Sequence, residues 1–183
     1  MVGEGLLKGI LNLLSVAGRL KQIPRTGWVI KAGIGKAESV ADHSYRVSLA
    51  AMILSDLLGL DTVKAVRIAL IHDLAESCIG DLTPQQVEEG LDKSSMEEEV
   101  MIKVLQDLPS HVKHLYLEAW RDWVERASSE ARLVHEVDAF EMALQAEEYA
   151  QSGFDRDKLM EFKRSASERV SSGAVKELIE ALG

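Results

Sequence analysis

The sequence predicts an all-α fold in a single compact domain spanning residues 1–183. Good helix formers such as Leu, Ala, Glu, Lys and Met dominate the composition. Apolar residues recur at helical spacing in several segments, and no stretch shows the sustained period-two alternation of a strand. A chain of 183 residues is long enough for one well-buried core and rather short for two.

The individual helices are predicted in chain order from their apolar spacing. The first, over Leu6–Leu20, is expected to be amphipathic and to cover the core, because its apolar run is too short and too broken to span a bilayer. The second helix is predicted to have one apolar face formed by Val40, Val47, Ala50, Ala51, Leu54 and Leu58, and the third by Val63, Val66, Ala69 and Leu70. Later helices are predicted over Met96–Leu108, Val112–Arg126, Glu130–Gln151, Asp155–Val170 and Ala174–Leu182.

Capping signals and prolines are predicted to mark helix boundaries. The stretches Thr83–Gln86 and Ser95–Glu98 have the pattern of capping boxes, and Pro84 would occupy the first position of a new helix. Pro24 is expected after the first helix, and Pro109 is expected to close the helix that ends near Leu108.

The charge and cysteine content restrict the function classes. The formal net charge is −9, which argues against general DNA or RNA binding because such a field repels polyanions. Cys78 is the only cysteine, so no intrachain disulfide can form, and it is expected to be a small buried residue. With no signal peptide or membrane span in the sequence, we predict a cytoplasmic protein without a membrane partner.

The segment Ile23–Ser39 lacks a helical period and concentrates positive charge. It carries Arg25, Trp28, Lys31 and Lys36 in an otherwise acidic chain. A long connection without regular structure inside a compact domain is more often functional than accidental, although a solvated loop anchored by its tryptophan is an equal alternative.

Four histidines and aspartates form a candidate metal site. Asp42-His43 begins the second helix, His72-Asp73 ends the apolar run of the third, and Asp138 lies on a later helix. Adjacent helical residues point about 100° apart, so His72 and Asp73 reach one metal only where the helix end bends around it. Two imidazoles and two carboxylates suit a borderline divalent ion and leave positions open for water and substrate.

The ordered set His43, His72-Asp73 and Asp138 resembles the signature of the HD superfamily of metal-dependent phosphohydrolases. The likeness extends to the branch of 5′-deoxynucleotidases, and these segments carry it: Ile23–Trp28, Glu38–Ser44, His72–Glu76, Ile79–Leu82 and Val137–Ala139. The resemblance implies an HD-domain fold, a homodimer, and one divalent metal ion held by His43, His72, Asp73 and Asp138. The ion could be Co, Mn, Mg, Zn, Ni or Fe.

The same resemblance implies roles for further residues. Glu76 follows His72 by four residues and is therefore expected one turn further along the same helix. It would be the acid/base carboxylate, unless it only orients a ligand. Asp81 would contact the sugar hydroxyl, with a plain turn or capping aspartate as the alternative. Arg25 would bind phosphate and Trp28 would form a wall against sugar or base. The chain departs from the best-studied pattern here, since Thr26-Gly27 separates the arginine from the tryptophan.

Three other histidines are given structural or solvated roles. Relatives often have lysine at the position of His135, which shares a helix face with Asp138. It could touch phosphate or a metal, but a structural role is favoured. His111 and His114 are expected on a solvated face.

The leading hypothesis is a 5′-deoxynucleotidase that hydrolyses nucleoside 5′-monophosphates to nucleoside and phosphate. A second hypothesis keeps the site but changes the phosphoester to a nucleoside triphosphate, an alarmone or a cyclic nucleotide. A third is a metal- or nucleotide-sensing helical module without turnover. Glu76 and Asp81 beside a full ligand set argue against the third, because a site without turnover needs neither group.

Overall fold

A computed structural model describes residues 3–82 and 92–182, and this part of the chain is built from α-helices. The helices are α1 (Glu4–Arg19), α2 (Val40–Leu58), α3 (Thr62–Ile71), α4 (Glu76–Ile79), α5 (Lys93–Val104), α6 (Ser110–Glu125), α7 (Ser129–Gln151), α8 (Arg156–Arg169) and α9 (Gly173–Glu180). The prediction of an all-α fold is confirmed.

Within residues 3–82 and 92–182 the predicted helices are present, but two boundary assignments were wrong. Helix α5 is capped by Asp92, whose side chain accepts a hydrogen bond from the backbone N–H of Ser95, so Ser95 is not the N-cap. Pro109 does not close this helix, which ends at Val104; it is the N-cap residue of α6. The other predicted capping box, Thr83–Gln86, lies outside the described residues.

The largest apolar cluster joins α2, α3, α6, α7, α8 and α9. Val47 on α2, Ile68 on α3 and Val137 on α7 are fully buried within it. The buried residues of α3 are Ala65, Ile68 and Ala69, so the predicted apolar face was partly wrong: Val63 and Leu70 are 67% and 56% exposed. Small residues at positions 65 and 69 allow α3 to approach its neighbours closely.

Two further clusters complete the described core. In one, Val16 and Leu20 from the first helical segment pack with Met101 and Trp120 from α5 and α6. Helix α1 therefore covers the core as expected, but only in part, because other apolar residues on it are exposed: Leu7, Ile10, Leu11 and Leu14. The other cluster forms beneath the connection between α1 and α2, where Trp28 and Ile34 pack against α7 and α8.

That connection is more regular than the sequence predicted. It contains a 3-10 turn at Leu20–Gln22 and a short π-helix at Trp28–Ala32, which Gly33 ends with a φ of 73°. An antiparallel β-bridge pairs Pro24 with Ser39 and closes the base of the loop. The segment is thus an ordered structure packed on α7 and α8, not a solvated excursion.

The solvent exposure of Cys78, His111 and His114 tests the predictions made for these residues. Cys78 is exposed, so the prediction of a buried cysteine was wrong; only the preceding residues of the short helix α4, Glu76 and Ser77, turn inward. His111 and His114 are exposed on α6, as expected. Across residues 3–82 and 92–182, no helix combines the length and apolar character needed to cross a bilayer.

Candidate metal centre and phosphate pocket

His43 is placed by the start of α2. Ser39 and Asp42 form a reciprocal capping box, in which the Ser39 side chain accepts from the Asp42 N–H and the Asp42 carboxylate accepts from the Ser39 N–H. This cap fixes the first turn of the helix. His43 follows at once and its side chain is fully buried.

His72 and Asp73 lie where α3 ends. The helix stops at Ile71, and residues 72–75 form turns before α4 begins at Glu76. The bend brings His72 Nε2 within 3.2 Å of Asp73 Oδ2, as the sequence argument required. Glu76 is therefore not one turn further along the same helix, which corrects that prediction, although it still faces the same pocket.

Asp138 completes the cluster from α7. Its Oδ1 lies 3.2 Å from His43 Nε2, and its Oδ2 accepts a hydrogen bond of 2.7 Å from Arg169 at the end of α8. Burial alone would raise the pKa of Asp138, but His43 and Arg169 hold it well below its usual range. The carboxylate is therefore ionised at neutral pH and available as a ligand.

Both imidazoles direct a ring nitrogen into this cluster. His72 Nδ1 lies 2.7 Å from the carbonyl oxygen of Ala69, and His43 Nδ1 lies 2.5 Å from Glu141 Oε2. These partners only accept, so Nδ1 carries the proton in each ring and Nε2 faces the site. Neither Nε2 has a hydrogen-bond partner among the described residues, although both atoms are buried.

These groups fit a divalent cation. Ligand atoms of His43, His72 and Asp73 lie within 4.8 Å of one another, and Asp138 faces the same point. Burial and Arg25 would lower the pKa of His43, yet Glu141 and Asp138 raise it to about 10. The cluster thus attracts positive charge strongly. A metal would displace the second proton of His43, on Nε2, and would satisfy both orphaned nitrogens.

Arg25 reaches into the cluster from the loop. Its guanidinium lies 3.2 Å from Asp73 and 4.0 Å from both Asp81 and Asp138. Asp81 is anchored in turn by the backbone N–H of Thr26, which donates to its Oδ2 at 2.6 Å. Gly80, with a φ of 81°, makes the turn that directs Asp81 toward this loop. Arg25 and Asp81, two of the three predicted substrate-binding residues, therefore line the pocket.

Glu76 is a buried carboxyl with an unusual proton affinity. Burial, followed by the charges of Asp73 and Asp81, raises its pKa to about 9, and the opposing charges of Arg25 and Lys93 do not cancel the shift. Lys93 Nζ lies 3.4 Å from its Oε1, while Oε2 has no hydrogen-bond partner among the described atoms. Glu76 therefore holds a proton at neutral pH beside the ligand cluster.

Trp28 and His135 lie at the pocket wall and are both fixed by packing. Trp28 is 3% exposed, donates from Nε1 to Glu38 at 2.9 Å, and packs on Phe162 at a centroid distance of 4.2 Å. His135 stacks on Trp123 at 3.5 Å and lies 2.8 Å from its carbonyl oxygen through Nε2. These contacts fit the structural role favoured for His135.

Four charged residues around the ligands and Glu76 were not predicted from the sequence: Glu141, Arg46, Lys93 and Arg169. A signal was available for two of them. Glu141 follows Asp138 at i, i+3, and Arg46 follows His43 at i, i+3, so each shares a helix face with a predicted ligand. Nothing near Lys93 in the sequence pointed to Glu76.

The cavity beside the ligand cluster has a volume of about 900 Å³. Its wall includes Arg25, Glu76 and Asp81 together with His72, Asp73 and Asp138. An all-α fold with two histidines and two aspartates around one buried point is typical of metal-dependent hydrolase domains. Residues 17–180 match the HD domain family, and the chain belongs to that family.

The relatives extend the comparison. The chain is 35% identical to mouse 5′-deoxynucleotidase HDDC2 over 182 residues, which covers 100% of this chain and 90% of the mouse protein. It is 36% identical to 5′-deoxynucleotidase hdd1 of Schizosaccharomyces pombe over 148 residues, or 76% of this chain and 72% of that protein. A conserved hypothetical protein of Pyrococcus furiosus superposes with a TM-score of 0.75 at 36% identity, covering 94% of this chain and 98% of that one.

Proposed function

We propose that this protein is a metal-dependent 5′-deoxynucleotidase that hydrolyses deoxynucleoside 5′-monophosphates to nucleoside and phosphate. One observation carries the proposal: two buried, unpartnered imidazole nitrogens face two carboxylates beside a glutamic acid that keeps its proton. Relatives named 5′-deoxynucleotidase, similar over nearly the whole chain, support this substrate class.

His43, His72, Asp73 and Asp138 are proposed to hold one divalent ion. When bound, that ion would polarise the phosphoryl group and lower the pKa of a water molecule. Its identity among Co, Mn, Mg, Zn, Ni and Fe is left to the experiment below, since an N/O donor set of this kind accepts several of them.

The remaining pocket residues are proposed to bind the nucleotide and move one proton. Arg25 would contact the phosphate, because its guanidinium is planar and lies at the edge of the ligand cluster. Glu76 would donate its proton to the departing 5′-oxygen. Asp81 would accept from the sugar hydroxyl with the oxygen that Thr26 does not use, and Trp28 would hold the loop in place beside the sugar.

Phosphate release from deoxy- and ribonucleoside 5′-monophosphates tests the proposal. Metal-stripped protein is assayed with each metal added back, with His72→Ala as the ligand variant and His114→Ala as a control whose exposed side chain lies away from the pocket. We expect metal-dependent release that favours deoxynucleotides and falls at least about a thousandfold in His72→Ala. No release with any metal would reject the nucleotidase, and release from His72→Ala at the control rate would reject the ligand assignment.

We also propose that the 183 residues act as one domain in a cytoplasmic homodimer. Helix α2 supports the dimer, because it exposes a row of large apolar side chains at helical spacing: Tyr45, Leu49, Met52, Ile53 and Leu57. Burying this face against a second copy would remove it from water. A monomeric mass by light scattering at micromolar concentration would contradict the dimer.

A further inference from the structure

Glu141 is a buried carboxylate that the proposed hydrolysis does not use. It lies on α7, is 1% exposed, and places Oε2 2.5 Å from His43 Nδ1. Because an ionised carboxylate only accepts hydrogen bonds, this contact holds the Nδ1 proton of His43 in place. The opposite ring atom, Nε2, then faces Asp138 at 3.2 Å.

The second oxygen of Glu141 is held by Arg46 on α2. Arg46 donates to Glu141 Oε1 from Nε at 2.9 Å and from Nη2 at 2.7 Å. The guanidinium is itself restrained by Gln145 at 2.5 Å and by both oxygens of Glu148 at 2.8 Å. Rotation of Glu141 away from His43 would break both of its bonds to Arg46, so the carboxylate is fixed at both ends.

We infer that Glu141 is a positioning residue that orients the His43 imidazole for metal binding, and that Arg46 holds Glu141 for this task. The inference rests on His43 being a metal ligand, as proposed above. A carboxylate behind a metal-binding histidine fixes the ring orientation and increases the basicity of the nitrogen that faces the metal. Glu141 therefore contributes to metal affinity without touching substrate.

A purely structural ion pair would have different consequences. Glu141 and Arg46 join α2 to α7, so their loss could lower stability alone. Glu136 supplies a matched control, since it is also a buried glutamate on α7 but binds Ser171 and Ser172 instead of a metal ligand. Changes in metal affinity and changes in unfolding temperature can therefore be read separately.

Titration of metal-stripped protein with Co²⁺ by calorimetry tests the inference. We expect Glu141→Gln to raise the Kd about 10- to 100-fold, because the amide keeps the shape but loses the charge. We expect Glu136→Gln to change the Kd less than about twofold, although both variants lower the unfolding temperature of the metal-free protein. Arg46→Gln should raise the Kd several-fold and add little to Glu141→Gln in the double variant.

A Kd for Glu141→Gln within about twofold of the wild type would overturn the inference. His72→Ala is titrated alongside. Wild-type affinity in that variant would reject the ligand set itself. Weakened binding by His72→Ala together with wild-type affinity in Glu141→Gln would reject only the positioning role of Glu141. If Glu141→Gln does not fold, Arg46→Gln decides, and an unchanged Kd in that variant overturns the inference. The readout needs no substrate, so a failed nucleotidase assay leaves it intact.

Discussion

Helix α7 carries two buried glutamates, Glu136 and Glu141, whose surroundings differ. Glu136 accepts hydrogen bonds from the backbone and side chains of Ser171 and Ser172, at the start of α9. Glu141 instead contacts the imidazole of His43 and the guanidinium of Arg46. One carboxylate holds the segment that leads into α9, and the other faces a site with unsatisfied groups.

The two glutamates lie in two different regions of the molecule, which we call the α9 end and the pocket end. At the α9 end, the carboxylate and the N–H groups satisfy one another, so the contacts serve stability. At the pocket end, buried atoms of His43, His72 and Glu76 lack partners among the described residues, which stability alone would not favour. Three of the five buried side-chain atoms that lack a partner among the described residues therefore belong to the pocket end, while the other two, Ser55 Oγ and Trp120 Nε1, do not line the pocket.

The largest effect is expected at the pocket end. Glu76→Gln removes the proton donor, so kcat should fall about a hundredfold or more while Co²⁺ binding persists. Steady-state phosphate release measures this. Glu98→Gln is the control, because Glu98 also lies on α5 but does not line the cavity and contacts Arg121 instead of Lys93. A comparable loss of kcat in both variants would contradict the assignment.

Glu76→Gln should also be more stable than the wild type in metal-free buffer at pH 8. The folded-state pKa of Glu76 is raised to about 9, so its contribution to stability is full below the unfolded value near 4.5 and is lost as the pH rises through 9. The amide that replaces the carboxyl cannot ionise, so the variant avoids this loss. Thermal unfolding measures the difference, and a lower unfolding temperature for the variant at pH 8 would contradict the shift.

A smaller effect, on stability alone, is expected at the α9 end. Glu136→Ala removes a charged acceptor and should lower the free energy of unfolding by about 2 kcal/mol, or roughly 4–8 °C in unfolding temperature. Chemical denaturation measures the change, with exposed Glu180→Ala on α9 as the control. Phosphate release per folded molecule should stay at the wild-type rate. A Glu136→Ala variant that loses activity but keeps wild-type stability would contradict the distinction between the two ends.

The smallest effect concerns His135, which lies between the two ends. Burial and the charges of Arg126 and Arg169 lower the pKa of His135 to about 4, although the hydrogen bond to the Trp123 carbonyl acts in the opposite direction. Its contribution to stability is therefore present above the unfolded value near 6.5 and is lost as the pH falls toward 4. In His135→Gln the acid-induced fall in unfolding temperature over this window should be shallower by about 2–4 °C. Exposed His114→Gln should keep the wild-type slope, and an equal slope in both variants would contradict the prediction.

Two of the three ligand segments sit at a local sequence signal, whereas Asp138 has none and was assigned through the resemblance to the HD superfamily. His43 follows a capping residue, and His72-Asp73 follows an apolar run. The exposed faces of α3 and the position of Cys78 were not readable, because both depend on which neighbours pack against the element. The end of α3 at Ile71 likewise depends on how the following turns pack.

By itself, the sequence determined the helical class, most helix boundaries within a few residues, and the histidines and carboxylates that could hold a metal. Helical period, caps and residue chemistry are local properties, so they can be predicted without knowledge of the tertiary structure. Tertiary structure decided the orientation of those groups. Glu141 meets His43 across 98 residues and Arg25 meets Asp73 across 48, and such pairs form only when separate helices pack together.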